Sequence, residues 1–514
     1  MEASSLAARP AAASATGRPE LKRGAIGYLS NVVIGVASTA PGYSLAATIG
    51  FIVAIAGIGG HMPAVIIVSF IPMFCIAWAY RNMNKADPDC GTTFSWMSRA
   101  MGAGWGWVGG WAVLFADIVV NANQAQIAGT YGFQLFGLNA ASNSKLDVMI
   151  LGVLFIAGLT WICWRGIELS ARTQQLLLGF EMVTLIIFAV VALVKVYGGS
   201  APAHSSHIQL DWFNPFTVGF QPLILGMLLG VFLFWGWDSG VSVNEETADP
   251  ANAPGRGAIV STLVLIAIFL LVSVAAQSYA GTAYLGNNAN DIFSGGLSKG
   301  VLGSLHILLI IAVLTSATAA TQTTILPAAR SALSMARRGA IPGRFGDIHP
   351  ENLVPGFATI TAGVLSVIWF VFIVLVSSNV LADSVTGLGF MVAFYYGFTG
   401  LACAIFYRRE ITKSVGNFVS YALLPLFGFV VLMYIFIKGM TYYGHAANDS
   451  SPPFLGLGVP DWIGILGIVS GIALMLLARV KKPAFFRSER RMVFGDKIEV
   501  VTPEAEFAPA DSML

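Results

Sequence analysis

Twelve apolar runs, centred near residues 40, 72, 120, 156, 186, 232, 269, 312, 367, 393, 429 and 469, occupy most of this chain, each bounded by proline, glycine or charged residues. A helix that crosses the hydrocarbon of a bilayer needs about 20 mostly apolar residues, whereas a membrane-barrel strand shows only weak alternation over about ten. The runs are long and do not alternate, so they read as an all-α polytopic membrane protein. A soluble body is excluded on the same grounds. Of 514 residues 56% are hydrophobic and only 11% charged, and the mean hydropathy of +0.75 leaves too little polar surface to clothe one.

Residues 1–23, rich in alanine, serine and proline and holding Arg9, Arg18, Lys22 and Arg23, lack the continuous apolar core of a cleaved signal peptide and read as a disordered tail. From 481 to 514 mixed charge returns, with Arg487, Arg490 and Arg491 followed by acids and prolines. That stretch reads as a second tail outside the bilayer, with room for a short amphipathic surface segment. Between the tails lies one membrane domain, 24–480, with helices one to five over about 26–198, six to ten over about 218–408 and eleven and twelve over about 418–480.

Lysine and arginine, followed through alternate connections, fall on the side of the N-terminus in 24 of 28 cases, leaving Lys145, Lys195, Lys299 and Lys438 opposite. The positive-inside rule then puts both termini in the cytoplasm, and a bacterial plasma membrane is the expected location. The net charge of +2 is spread over membrane-flanking loops and gives no reason to expect a nucleic-acid partner. Cys75, Cys90, Cys163 and Cys403 suggest no disulfide framework, and six scattered histidines show no metal-ligand spacing, so no metal or cofactor is expected.

Two runs are interrupted. The first, from Ala25 to Gly57, is too long for one straight crossing and carries Ser38-Thr39-Ala40-Pro41-Gly42 in its middle, where a missing amide hydrogen meets a flexible residue. The sixth holds Gly230, Gly236 and Gly240 with Asp238 and Ser239, crowded by Phe232, Phe234, Trp235 and Trp237. Non-helical backbone survives at membrane depth only where it is buried in protein or lines an aqueous cavity. Two breaks five crossings apart suggest a five-helix unit whose second copy is inverted, the signature of secondary transporters. The plain alternative is that proline and glycine merely kink two helices. Gly226 and Gly230 read as helix packing.

Four stretches resemble the amino acid-polyamine-organocation (APC) superfamily of permeases. Pro88-Asp89-Cys90-Gly91-Thr92-Thr93-Phe94-Ser95-Trp96, followed by Gly109-Gly110-Trp111, is similar to P-x-x-G-G-x-Y-x-Y, with Thr92 in place of the second glycine. Gly236-Trp237, Glu245-Glu246, Asp249-Pro250 and Pro254 resemble the end of the family's sixth helix, and Gly166-Ile167-Glu168-Leu169-Ser170-Ala171 the lead-in to its fifth. Arg330-Ser331 and Met335-Ala336-Arg337-Arg338-Gly339-Ala340-Ile341-Pro342 resemble the eighth-helix ending, with Arg338 in place of the usual acid. The resemblance covers nearly everything from about Lys22 to Lys482. It implies a LeuT-like fold: twelve transmembrane helices, ten of them in two inverted five-helix repeats and two added at the C-terminus.

The resemblance further implies a substrate held between helices one and six, at Ser38, Thr39, Ala40, Gly42, Phe232, Trp235, Gly236, Trp237 and Asp238. Phe232 matches an aromatic gate, and Asp238 falls where the arginine/agmatine and ornithine/putrescine exchangers carry an acid. A carboxylate there can pair a substrate ammonium or bind the coupling proton; the bland alternative is that it caps a half-helix. Ala40 and Gly42 are candidate amide donors for a substrate carboxylate at the half-helix N-terminus, although Pro41 has no N–H. Glu181 sits where several members carry a lysine. It reads as a protonatable coupling group or cation ligand, aided by Thr315, Ser316 and Thr318, or as an acid facing other side chains. Asp117, a further coupling candidate, either lines the cavity opposite helix six or stabilises the bundle beside Trp111 and Asn121.

The expected activity is secondary active transport of amino acids by alternating access, coupled to H+ rather than Na+, by symport or exchange. A polyamine or cationic-amine transporter is the second reading, and a non-transporting amino-acid sensor the reading from another class. The expected partners are a small-molecule substrate and the lipid bilayer. H-E-x-x-H, G-x-S-x-G, P-loop and T-V-G-Y-G patterns do not occur, which speaks against an enzyme, an ATP-driven pump and a channel filter.

Overall fold

A computed structural model describes residues 21, 24–165, 171–293, 295–445, 448, 451–488 and 491–496. The stretch Gly166–Ser170 of the fifth-helix motif and most of both tails lie outside the described residues. Among the described residues, eleven helical spans are long and apolar enough to cross a membrane, and the shorter apolar helix Phe220–Leu233 begins a twelfth crossing, sixth in chain order.

The crossings run Tyr28–Thr39 with Pro41–Ala54, then Met62–Ala86, Ala103–Leu135, Lys145–Trp164 and Ala171–Tyr197. The sixth is Phe220–Leu233 with the short turns Ser239–Ser242 and Asn244–Glu246. Ala253–Asn287, His306–Arg337, Gly356–Val376 and Val380–Phe406 follow, and the last two crossings end in Leu424–Tyr443 and Val459–Lys481. No strand occurs among the described residues, and the fold is the polytopic helical one that the apolar runs require.

Burial sorts the helices into a core and a jacket. The first, third and tenth crossings are buried over most of their length, whereas the fourth, fifth, ninth, eleventh and twelfth turn most of theirs outward. Leu154, Val190, Leu375, Val430 and Leu477 on those outer helices are exposed apolar groups, as lipid-facing side chains must be. Small residues bring the core helices close. A Cβ on Gly230 would lie 2.1 Å from Ser69 Oγ and one on Gly226 2.7 Å from Ile58 Cδ1, so the sixth crossing packs directly on the second and the loop before it.

The first crossing breaks where its sequence requires. Ala40 takes a left-handed conformation (φ 52°, ψ 71°) and Pro41 opens the second half as its first residue, a position where the missing N–H costs nothing. The exposed backbone is then satisfied locally. Ala40 N–H donates to Val36 O and Ala37 O at 3.1 Å each, and Ser44 Oγ donates to Thr39 O at 2.5 Å.

The sixth crossing leaves its helix at Phe234 and resumes at Ser239. Gly236 sits there at φ 120°, and a Cβ on it would lie 2.7 Å from Ser38 O and 2.9 Å from Thr39 Cα. The two breaks therefore touch each other, glycine backbone against unwound backbone, at the centre of the bundle.

Candidate functional site

Each residue expected at the site can be located around that crossing point. Ser38, Thr39 and Ala40 are buried at the first break, and Ser38 Oγ has no hydrogen-bond partner among the described residues. Phe232 packs edge-on to Tyr43 with ring centroids 6.3 Å apart, and the tilted ring of Trp235 lies 6.5 Å from Phe232. These three rings form an apolar wall joining the two broken helices. Trp237, fully buried, packs edge-on to Tyr80 and tilted against Tyr396, with ring centroids 5.1 and 5.0 Å away, in the bundle core.

Asp238 precedes the short turn Ser239–Ser242 without capping it by its side chain. Its Oδ2 accepts from Tyr395 Oη at 3.2 Å, and that hydroxyl in turn accepts from Trp235 Nε1. Tyr395 is the participant that sequence reading missed. Adjacent tyrosines at 395 and 396 interrupt an apolar run, but nothing local ties a tenth-helix hydroxyl to a carboxylate 157 positions earlier.

The amide groups divide unexpectedly between the breaks. Ala40 and Gly42 carry the N–H groups expected for a substrate carboxylate, yet both are engaged within the protein, Ala40 by its own helix and Gly42 by Glu181. In the sixth crossing, by contrast, no main-chain acceptor among the described residues takes the N–H groups of Gly236, Trp237 or Asp238.

Glu181, 2% exposed, reaches from the fifth crossing into the first break. Its Oε1 accepts from Gly42 N–H at 2.6 Å and from Ser316 Oγ at 2.8 Å, while Tyr43 N–H donates to Ser316 Oγ at 3.2 Å. Thus crossings one, five and eight meet at one carboxylate. Of the hydroxyls expected to assist, only Ser316 does so; Thr315 and Thr318 donate to carbonyls of their own helix, Ile311 O and Leu314 O. No cationic side chain pairs with Glu181 among the described residues.

Asp117, 3% exposed, sits on the third crossing within electrostatic reach of Asp238, and its Oδ2 has no hydrogen-bond partner among the described residues. Asn121, the neighbour expected beside it, instead accepts from Thr324 Oγ1 at 2.8 Å and donates to Ser366 Oγ at 3.1 Å.

At the end of the bundle where the basic residues cluster, three of the sequence motifs converge. Arg338 donates to Asp89 Oδ2 at 2.7 Å, and Ser95 and Ser334 donate to Asp89 Oδ1 at 2.5 and 2.9 Å. Arg330 donates to Glu246 Oε2 at 2.6 Å and Arg337 to Glu245 Oε2 at 3.1 Å. Burial alone would raise the Asp89 carboxyl, but the Arg338 guanidinium, the serine hydroxyl and Gly91 N–H outweigh it and hold the group well below the usual carboxylate range. These pairs lock the linker after crossing two to the ends of crossings six and eight, closing this end of the bundle. The C-terminal segment adds to the closure: Phe485 stacks on Phe94 at 5.9 Å and Met492 N–H donates to Arg99 O at 2.7 Å.

A cavity of about 560 Å³ opens at the opposite end, lined by His204, Trp212, Gln277, Gly281 and Tyr284. None of the site residues named above lines it, so it is separate from the crossing point of the broken helices.

A sequence model described as amino acid permease matches residues 26–468. The chain is 25% identical over 379 residues to the branched-chain amino acid permease BcaP of Lactococcus lactis, covering 70% of this chain and 78% of that protein. It is 24% identical over 462 residues to the arginine/ornithine antiporter of Latilactobacillus sakei, covering 82% of this chain and 91% of the relative. It is also 21% identical over 374 residues to the low-affinity putrescine importer PlaP of Escherichia coli K12, covering 72% and 79% respectively. The match over most of the length agrees with the broken helices and the converging motifs: the chain belongs to the amino acid permease family.

Proposed function

We propose that the protein moves an amino acid or a related amine across the membrane by alternating access around the two touching breaks, with Glu181 as the proton-responsive coupling group. The observation that carries this is the seat of Glu181: one carboxylate oxygen holds the first free amide of a half-helix and a hydroxyl of the eighth crossing. A half-helix N-terminus favours a negative charge, so the ionised side chain binds crossings one, five and eight together. Protonation removes that charge and weakens both bonds, loosening the first break from its supports. Proton occupancy is thereby linked to the geometry of the substrate-binding backbone. Na+ is the less favoured coupling ion, since one of the two Glu181 oxygens already accepts from Gly42 N–H and Ser316 Oγ and only the other is left to a cation.

The bias of basic residues toward the closed end supports a bacterial plasma-membrane location with both termini in the cytoplasm, and a cytoplasmic gate built from Asp89–Arg338, Glu246–Arg330 and Glu245–Arg337. The unit over 24–480 is read as the transport domain. The test uses purified full-length protein in liposomes. Glu181→Gln keeps an acceptor for Gly42 N–H, so substrate binding is expected to persist while accumulation driven by an imposed pH gradient is lost. Unchanged accumulation removes Glu181 from the mechanism, and binding without any flux would make the protein a sensor.

A further inference from the structure

We propose that the outward stripe of the second crossing binds one anionic phospholipid of the leaflet on the basic side of the membrane, its phosphate held by Arg81 and Lys85 and its acyl chains laid along Phe74 and Ile71. None of these residues belongs to the substrate site.

The second crossing, Met62–Ala86, is recessed between the seventh and the eleventh. The seventh closes in on the side of Arg81, where a Cβ on Gly255 would lie 2.7 Å from Arg81 Cα. The eleventh closes in on the side of Cys75 and Asn82, where a Cβ on Gly428 would lie 3.3 Å from Cys75 Cβ and Ser420 O accepts from Asn82 Nδ2 at 2.8 Å. Over residues 71–85 only Ile71, Phe74, Trp78, Arg81 and Lys85 escape burial. Their spacing of three and four residues puts them in one line along the helix. Toward the basic end that line runs from apolar groups through an indole to two cations, the order in which a lipid presents its chains, its interface and its headgroup.

A basic residue that serves only to orient a helix extends into water. Arg81 instead stays half-buried and turns back over Trp78, with Cζ 4.8 Å from the ring centre. Trp78 is itself fixed, because its Nε1 donates at 2.8 Å to Ser420 Oγ within the π-helical turn Val419–Leu423. Among the described residues no acid pairs with Arg81 or Lys85. The nearby acids are engaged: Asp87 with Arg99, Asp89 with Arg338, Glu410 with Lys413, and Asp249 with Asn252. A positioned cation pair without counter-charge, at the foot of an apolar trough, fits a ligand with phosphate at one end and hydrocarbon at the other. A zwitterionic headgroup matches it less well, since its own cation would face Arg81 and Lys85.

Thermal unfolding of the purified full-length protein in a neutral detergent, titrated with phosphatidylglycerol, phosphatidylcholine or inorganic phosphate, tests the site. Phosphatidylglycerol is expected to stabilise at a concentration about fivefold or more below that needed of phosphatidylcholine, and inorganic phosphate not to stabilise. Arg81→Gln should reduce that preference about fivefold, Lys85→Gln less, and Arg81→Lys should retain part of it, each read against the variant's own lipid-free midpoint. Lys85, exposed and without a partner among the described residues, supplies a variant whose folding is not at risk. Arg165→Gln is the control: Arg165 also lies over a tryptophan, 5.1 Å from the ring centre of Trp161, but is exposed on the outer fourth crossing, and its variant should keep the preference of the wild type. Equal stabilisation by the two lipids, or a preference unmoved by both Arg81→Gln and Lys85→Gln, overturns the proposal. So does a preference lost equally in Arg165→Gln, which would show a general attraction of the basic surface. Arg81-dependent stabilisation by inorganic phosphate would make this a site for a free anion, and stabilisation that follows protein concentration instead of lipid would make it a contact between two copies; either result also overturns the proposal.

Discussion

Gly42 N lies 2.6 Å from Glu181 Oε1, so the first turn of the half-helix Pro41–Ala54 takes its capping acceptor from another crossing 139 positions away. Helix N-termini need acceptors for their first amides. Here Ala40 cannot supply a side-chain cap and Pro41 has no N–H, so the acceptors arrive as Glu181 and Ser316. The stability of the break thus depends on a tertiary contact that a change of protonation can alter.

Ser316→Ala should expose that dependence. It leaves Tyr43 N–H buried without its acceptor and strips one donor from Glu181, a loss of about 1–3 kcal/mol for an unsatisfied buried group. Thermal unfolding of the purified protein is expected to show a lower midpoint, and pH-driven uptake to fall along with it. A midpoint equal to wild type would mean that the eighth crossing does not support the break.

Gly236→Ala tests the contact between the breaks. The added Cβ would lie 2.7 Å from Ser38 O and 2.8 Å from Ser38 C, rigid backbone on both counts, and the φ of 120° is itself unfavourable for alanine. Loss of substrate binding is expected, because the two unwound segments must separate to admit the methyl. Retained affinity in an equilibrium binding measurement would show that their contact is not needed.

The fold was legible because each of its constraints is local. Apolar length identifies crossings, and Pro41 and Gly236 mark breaks through their own backbone chemistry. The motifs around Asp89, Glu245 and Arg338 were visible as strings, but not that they bind one another, since ion pairing across 249 positions leaves no periodic trace. Tyr395 was hidden for the same reason. The engagement of Gly42 N–H by Glu181 was also beyond reach, because an unwound segment announces free amides without saying which of them the protein itself will take.

Thr92 offers a test of backbone strain at a motif position. It replaces the second glycine of the resembling pattern and adopts φ 40° and ψ −109°, a region costly for a β-branched residue. Thr92→Gly removes that strain but adds flexibility to the unfolded chain. The expected balance is a stabilisation of about 1 kcal/mol, read as a higher melting midpoint. A lower midpoint would show that the threonine side chain contributes packing worth more than the strain.

Arg338→Gln should produce a pH-dependent loss. Asp89 is held below the ordinary carboxylate range, after the cost of its burial, by this guanidinium, by Ser95 and by Gly91. A group whose folded value is depressed contributes stability above the unfolded value of about 4, and that contribution disappears as pH falls through the folded value. Without Arg338 the carboxylate keeps its serine donors but loses its only ion pair among the described residues. Because both side chains retain some solvent contact, the loss should stay below the roughly 3–5 kcal/mol of a fully buried pair. Melting midpoints of wild type and variant are expected to differ most at neutral pH and to converge below about pH 4, where the unpaired acid is protonated in the unfolded chain. The same pair ties the linker after crossing two to the end of crossing eight, so the variant should also admit cysteine-directed reagents to Cys90 faster from the basic side. A difference in midpoint that does not vary with pH would show that Arg338 acts by packing on Phe94, 5.8 Å from its ring centre, and not by its charge.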